Sequence, residues 1–236
     1  MKAIVLAAGK GKRLRGIINL IPKPMVKIKG KPILEHNIEL LRSHEIKDIY
    51  INLHHMPEVI RDYFGNGEKW GVYIVYKYEP KILGTAGAVK NFEDLIGLQK
   101  FMVVYGDNCY CDYDLGKIID FHNKKKGLGT IALYEKDDVS HSGIVEMDDD
   151  NKILRFIEKP KPQEMISHLV NTGIYVFEPD IFNFIPDKKF SDFGNDIFPK
   201  ILKERENLYG IIIEGRLIAI DTPESYKSAT EKKIIL

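Results

Sequence analysis

The sequence predicts an α/β fold built on a parallel sheet, and three observations carry that expectation. Ile4, Val5 and Leu6 form a short β-rich run without polar alternation, the pattern of a strand buried on both faces. A glycine-containing turn, Gly9-Lys10-Gly11, follows that run almost at once. Further on, strand-like and helix-like stretches succeed one another, and two of the strand-like runs lead into acids, Asp107 and Asp221, at the edge where open α/β sheets bind ligands.

The first turn has the chemistry of an anion site. Gly9 and Gly11 allow a sharp turn and bring bare N–H groups close to an oxyanion. Lys10, Lys12, Arg13 and Arg15 add four positive charges within six residues, and the Arg13 guanidinium can offer a planar fork to a polyphosphate. Pro22 and Pro24 restrict the backbone on either side of Lys23, so its ammonium is aimed. A dinucleotide-binding turn is disfavoured, because the third glycine of G-x-G-x-x-G falls on Leu14 and no helix-forming stretch follows directly.

The run LAAG-x-G-x-R-L, then PKPM and GKPIL, resembles the signature of the sugar-1-phosphate nucleotidylyltransferases. The resemblance covers nearly the whole chain. It implies a Rossmann-like three-layer α/β/α nucleotidyltransferase domain with a mostly parallel central sheet and a small antiparallel sugar-binding sub-sheet. One departure concerns the subfamily: Gly16 and Ile18 stand where the family commonly has Pro and Thr. In that respect the loop is similar to that of guanylyltransferases acting on heptose 1-phosphate, and the chain as a whole resembles most the mannose-1-phosphate or heptose-1-phosphate guanylyltransferases.

Composition narrows the alternatives. A chain of 236 residues with ordinary apolar content can bury a full core as a single domain, 1–236. The net charge of +1 gives no reason to expect nucleic acid or a polybasic membrane anchor. The apolar run after Lys2 is too short for a signal peptide or a membrane span, so a cytoplasmic location is expected. Cys109 and Cys111, one residue apart, are too close for an easy disulfide and too few for zinc, and read as reduced thiols.

The remaining elements follow in order. Pro32 opens a helix to about Ser43, and Asp48 to Leu53 is the second strand. His54 and His55 have no third ligand nearby and read as structural. A helix from Pro57 to Phe64 ends at Gly65-Asn66-Gly67, and a third strand starts at Val72. Phe101 to Asn108 reads as the fourth strand, with Asp107 at its end. A helix capped by Asp114 runs to Lys126, the fifth strand starts at Gly129, and Ser142 to Ile157 forms a hairpin about Asp148-Asp149-Asp150-Asn151. Asn171 to Phe177 is a strand and Phe193 to Glu204 a helix. YGIIIE and RLIAI are expected to pair about Glu214-Gly215, and Thr222 caps a closing helix from Pro223 toward Lys232.

The resemblance also assigns roles. Nucleotide contacts carry over to Leu6, Ala8, Gly9, Gly11, Gly84 and Thr85, the last two from the G-T-A-G segment on which a base rests. Glu79, five residues before Gly84, matches the position where pyrimidine-selective relatives use glutamine. A carboxylate only accepts hydrogen bonds, which suits the adjacent ring N–H and amino group of guanine and opposes the carbonyls of uracil. An exposed strand-end glutamate is the plainer alternative. Gly143, Glu158 and Asn171 match the sugar-binding positions, Lys159 the lysine that neutralises the sugar phosphate, and Asp107 with Asp221 the acids that hold Mg2+. Two carboxylates suit a magnesium that keeps waters and also takes phosphate oxygens.

The implied reaction joins a nucleoside triphosphate, GTP first, to a sugar 1-phosphate, mannose before manno-heptose, and releases pyrophosphate. Arg13, Lys23 and Lys159 are its charge-neutralising residues. A glycosyltransferase and a non-catalytic nucleotide-sugar sensor are the rivals from other classes. The left-handed β-helix that follows this domain in many relatives is not expected here, and a homo-oligomer would then be expected to form through the catalytic domain.

Overall fold

The computed structural model describes residues 1–9, 11 and 21–231. The expectations placed on Lys10, Lys12, Arg13, Leu14, Arg15, Gly16, Ile18 and Lys232 lie outside these residues.

In chain order the elements begin with β1 (Lys2–Leu6), β2 (Lys27–Ile28), β3 (Lys31–Pro32), α1 (Ile33–Ser43), β4 (Asp48–Leu53), α2 (Pro57–Phe64) and β5 (Tyr73–Tyr78). Next come α3 (Gly84–Lys90), α4 (Glu93–Ile96), β6 (Phe101–Tyr105), β7 (Asn108–Cys111), α5 (Leu115–Lys125) and β8 (Gly129–Glu135). The chain continues through β9 (Gly143–Met147), β10 (Ile153–Glu158), β11 (Leu169–Phe177), α6 (Phe198–Lys203), β12 (Leu208–Ile212), β13 (Arg216–Ala219) and α7 (Pro223–Glu231). The expected α/β class, with parallel strands, helices and smaller antiparallel pairings, is what these elements form.

The chain divides into two compact units, one made of Met1–Ile82, Val104–Tyr113 and Gly215–Leu236, the other of Leu83–Val103 and Asp114–Glu214. In the first, β1, β4 and β5 run parallel, with Lys2 opposite Asp48 and Asp48 opposite Tyr73. Ala3, Ile4 and Val5 are completely buried, which is why the run shows no polar alternation. Such burial stabilises by roughly 1.5–3 kcal/mol for each large aliphatic side chain. A second pairing, antiparallel β13 on β7, sets Asn108 opposite Ala219 and Cys111 opposite Arg216. Beneath it Val26, Ile28, Ile33, Cys109, Cys111 and Ile220 form a buried cluster, in which the two thiols are free and 4.0 Å apart.

In the second unit β8 is flanked by β11, antiparallel, and β12, parallel, while β9 and β10 form the expected hairpin. Asp114 caps α5 as expected, accepting the Gly116 N–H at 2.9 Å. Phe101, Tyr175, Phe177, Phe193 and Phe198 are fully buried and make ring contacts throughout the unit's core.

Three expectations are corrected. The fourth strand stops at Tyr105, and Asn108 belongs to a separate strand, β7, so Asp107 lies in the turn between them. YGIIIE and RLIAI do not pair with each other, since β12 joins β8 and β13 joins β7. The helix from Phe193 opens with a π-helical stretch, Phe193–Ile197, before α6. Both Asp196 and Ile197 donate to the Asp192 carbonyl, at 3.0 and 3.2 Å, which widens that turn.

Candidate active site

The two acids at strand ends meet in the first unit. Lys23 Nζ donates to Asp107 Oδ2 at 2.7 Å and to Asp221 Oδ1 at 2.8 Å. The lysine is buried, whereas the acids keep 30% and 38% of their side-chain surface, so the carboxylates face solvent and the ammonium lies behind them. Burial pulls the Lys23 pKa down, but the charges and hydrogen bonds of Asp107 and Asp221 outweigh it, and the net shift is upward. Lys23 is therefore a fixed cation at neutral pH.

Local structure explains why these three groups converge. Lys23 opens the short 3-10 turn Lys23–Met25, where Pro22 holds the extended entry and Pro24 the second turn position. A Cβ on Gly106 would lie 2.9 Å from the Leu6 carbonyl, so only glycine lets the turn before Asp107 press against the end of β1, where its N–H donates to that carbonyl. From α1, the buried Asn37 reaches the carbonyls on either side of that turn, Asn108 at 2.8 Å and Tyr105 at 3.5 Å. Ser225 does the same for the second acid: its hydroxyl accepts the Asp221 N–H at 2.9 Å, and Thr222 caps the helix by accepting the Ser225 N–H. Asn37 and Ser225 are absent from the sequence reading. Asn37 was legible, since it shares the helical face of Ile33, Leu34, Ile38 and Leu41 and would otherwise be a lone polar group in a core.

These acids fit a magnesium ion. They are hard oxygen donors within hydrogen-bond reach of one cationic atom, Lys23 Nζ. Two carboxylates suit Mg2+, which is bound through few protein oxygens and completes its shell with water and phosphate.

Glu79, also in the first unit, is not the exposed strand-end residue of the plainer reading. It is buried, and its Oε1 accepts from Asn52 Nδ2 at 2.8 Å. Asn52 Oδ1 accepts the Ala7 N–H at 2.7 Å, which fixes the amide's orientation. His54 Nδ1 sits 2.7 Å from the Glu79 carbonyl, a structural contact that joins the ends of β4 and β5. Leu6 ends β1, Ala8 is buried beyond it, Gly9 is exposed, and Gly11 has a φ of 55°, in the left-handed region.

The second unit holds the other positions. Gly84 and Thr85 start α3, and Thr85 turns both its N–H and its hydroxyl to Asp192. Glu158 ends β10 opposite Gly143. Burial, outweighing the opposing pull of Lys159, pushes its carboxyl pKa up, and Asp192 adds to the rise. Lys159 is exposed, has a φ of 51°, and stands 3.9 Å from Glu158. Asn171 holds an irregularity in β11, donating to the Tyr175 hydroxyl at 2.7 Å and accepting the Gly173 N–H at 2.9 Å.

The raised Glu158 pKa has a measurable consequence. A carboxyl whose folded pKa exceeds its unfolded value favours folding below the unfolded pKa, and that contribution is lost as pH rises through the folded pKa. Glu158→Gln should therefore raise the melting temperature at pH 7, with the gain fading as pH drops below the ordinary carboxylate range. A variant destabilised at pH 7 would show that ionised Glu158 is held by contacts that outweigh its burial.

The α/β fold, with its glycine turn after the first strand and a lysine held between two acids, finds its match in the nucleotidyl transferases. The nucleotidyl transferase family profile matches residues 2–232, and the chain belongs to that family, bearing out its resemblance to the sugar-1-phosphate nucleotidylyltransferases. It is 38% identical to a UTP–glucose-1-phosphate uridylyltransferase of Synechocystis sp., over 97% of this chain and 62% of that protein. To the mannose-1-phosphate guanyltransferase of Saccharomyces cerevisiae it is 34% identical, over 98% of this chain and 64% of the relative. The chain thus spans just under two thirds of the length of these curated relatives. Among solved structures, HddC from Yersinia pseudotuberculosis complexed with GMP-PN matches with a TM-score of 0.81 at 30% identity, over 98% of both chains. No helix among the described residues is long and apolar enough to cross a membrane.

Proposed function

We propose that this protein transfers a nucleotidyl group from a nucleoside triphosphate to a sugar 1-phosphate, releasing pyrophosphate. The observation that carries this reading is the convergence of Lys23 with Asp107 and Asp221, at 2.7 and 2.8 Å, in a chain of this family. A sugar phosphate is already ionised near neutral pH, so attack in line on the α-phosphorus needs no general base, and catalysis rests on placement and charge neutralisation. Asp107 and Asp221 would hold Mg2+, which when bound draws charge from the phosphate oxygens. Lys23, fixed by the same acids, neutralises charge on the triphosphate, a role the family resemblance gives to Arg13 as well. Lys159 steadies the attacking phosphate, and Glu158, Asn171 and the backbone of Gly143 bind sugar hydroxyls. Leu6, Ala8, Gly9, Gly11, Gly84 and Thr85 carry over as nucleotide contacts from the family resemblance.

GTP is the favoured triphosphate and mannose 1-phosphate the favoured acceptor. Glu79 supports guanine because a buried carboxylate is acceptor-only, and a base presenting carbonyls to it leaves buried groups unpaired, at about 1–3 kcal/mol each. The yeast mannose-1-phosphate guanyltransferases and the GMP-PN complex of HddC point the same way. The similarity to the uridylyltransferase favours a second reading, the same transfer with UTP and glucose 1-phosphate.

A pyrophosphate-release panel crossing nucleoside triphosphates with sugar 1-phosphates tests both. GTP with mannose 1-phosphate should give the highest kcat/KM; the UTP and glucose 1-phosphate pair leading would replace the first specificity with the second, and silence across the panel would end the transferase reading. Glu79→Gln should lower the GTP-over-UTP preference by about tenfold or more, the worth of one buried hydrogen-bond mismatch. An unchanged preference would remove Glu79 as the base-reading residue.

A further inference from the structure

The helix α3 that begins with G-T-A-G has its first N–H groups satisfied from far along the chain. The Ser191 carbonyl accepts from Ala86 at 2.9 Å and Gly87 at 3.0 Å, and Asp192 Oδ1 accepts from the Thr85 N–H at 2.9 Å. The Thr85 hydroxyl donates to the same Oδ1 at 3.2 Å and accepts from the Phe193 N–H at 2.9 Å, while the Ser191 N–H donates to Leu83 O at 2.9 Å. These are groups a helix start must place somewhere, and here a carboxylate and a carbonyl of the chain itself receive them. Contact is close enough that a Cβ on Gly84, whose φ is 76°, would lie 2.5 Å from the Ser191 carbonyl oxygen.

The same turn borders the sugar-side carboxylate. A Cβ on Gly194 would lie 2.7 Å from Glu158 Oε2, and one on Gly143 would lie equally close, so the carboxylate sits in a notch between two glycines. The turn is also self-braced, since the Asp192 N–H donates to Asp196 Oδ2 at 2.7 Å. Its π-helical continuation places Gly194, two residues after Asp192, against Glu158. Local widening of this kind recurs at functional sites.

We propose that the turn at 191–194 is a two-sided positioning element: Asp192 sets the G-T-A-G helix on the nucleotide side, and Gly194 sets Glu158 on the sugar side. This rests on the function proposed above. It assigns the Thr85 hydroxyl to Asp192 instead of to the nucleotide, and it makes two neighbouring positions control different substrates.

Kinetics and calorimetry on the whole chain test it. Asp192→Ala should raise KM for GTP by about tenfold, the scale of a hydrogen bond to a charged group, and change KM for mannose 1-phosphate far less, since Asp192 reaches Glu158 only through its charge. Asp192→Asn keeps an acceptor for Thr85 and should restore KM for GTP. Gly194→Ala, which crowds Glu158, should raise KM for mannose 1-phosphate by about tenfold and spare GTP. Should either alanine variant fail to fold, Asp192→Asn and Thr85→Val supply the comparison: Thr85→Val raises KM for GTP alone and Asp192→Asn does not. Parallel changes in both KM values, or Asp192→Asn behaving as Asp192→Ala, overturn the proposal while a wild type that releases pyrophosphate keeps the transferase reading. If the wild type releases none, that reading fails, and the same split in calorimetric Kd for GTP and mannose 1-phosphate decides the positioning role. Binding of neither ligand by the wild type overturns both.

Discussion

Asp107→Asn and Asp221→Asn should each cut pyrophosphate release on the order of 10²–10³-fold, the loss seen when one fixed group that stabilises transition-state charge is removed. Asparagine keeps the size and one acceptor for Lys23, so the turn at Asp107 and the start of α7 should stay in place. Both acids are about a third exposed, and the weakened ion pair should cost no more than about 1 kcal/mol of stability. Circular dichroism and thermal melts should therefore match wild type while turnover collapses and the magnesium needed for half-maximal rate rises. Near-normal turnover in either variant would show that these carboxylates do not hold the metal.

Lys23→Met should have the second largest effect, and it separates two kinds of electrostatic role. The ammonium is bonded to both carboxylates that would hold the metal, which makes it a resident counter-ion of the acid pair as well as a candidate phosphate-neutralising charge. Removing it should lower turnover by on the order of 10²-fold, because the triphosphate loses a fixed positive charge. In the absence of nucleotide the opposite sign is expected for metal binding. Two carboxylates without their lysine repel each other and attract a dication more strongly, so Mn2+ affinity measured by electron paramagnetic resonance should increase. Weaker Mn2+ binding in Lys23→Met would mean that the lysine organises the acids more than it competes for them.

Much of the fold was legible because burial leaves a direct trace in sequence. Ile4, Val5 and Leu6 announce a strand covered on both faces, Asp114 announces a helix start, and the run of polar residues at 148–151 announces a hairpin turn. What was not legible depends on partners distant in sequence. Asn108 to Cys111 are too few and too mixed to read as a strand, and become one by pairing with Arg216 to Ala219, more than a hundred positions on. Missing β7 made Glu214-Gly215 look like a hairpin turn, although β12 and β13 go to different partners.

The site divides in the same way. Each acid at a strand end could be found locally, but their convergence follows from the register that sets Asn108 opposite Ala219 and so brings the residues just beyond, Asp107 and Asp221, together. The resemblance supplied the pairing; the residues alone did not. Burial of Glu79 was not foreseen because its cause is an amide on another strand, Asn52, which is itself held by the Ala7 N–H. Asp192 escaped for the same reason, its partner Thr85 lying 107 positions away.

Phosphorus NMR of a single reaction containing GTP, mannose 1-phosphate and Mg2+ tests the central claim most directly. The expected result is equimolar pyrophosphate and nucleotide-sugar diphosphate signals, growing only when the metal is present and absent from the Asp107→Asn and Asp221→Asn proteins. Orthophosphate appearing while the sugar 1-phosphate signal stays constant, or product forming at an undiminished rate in those variants, would contradict it.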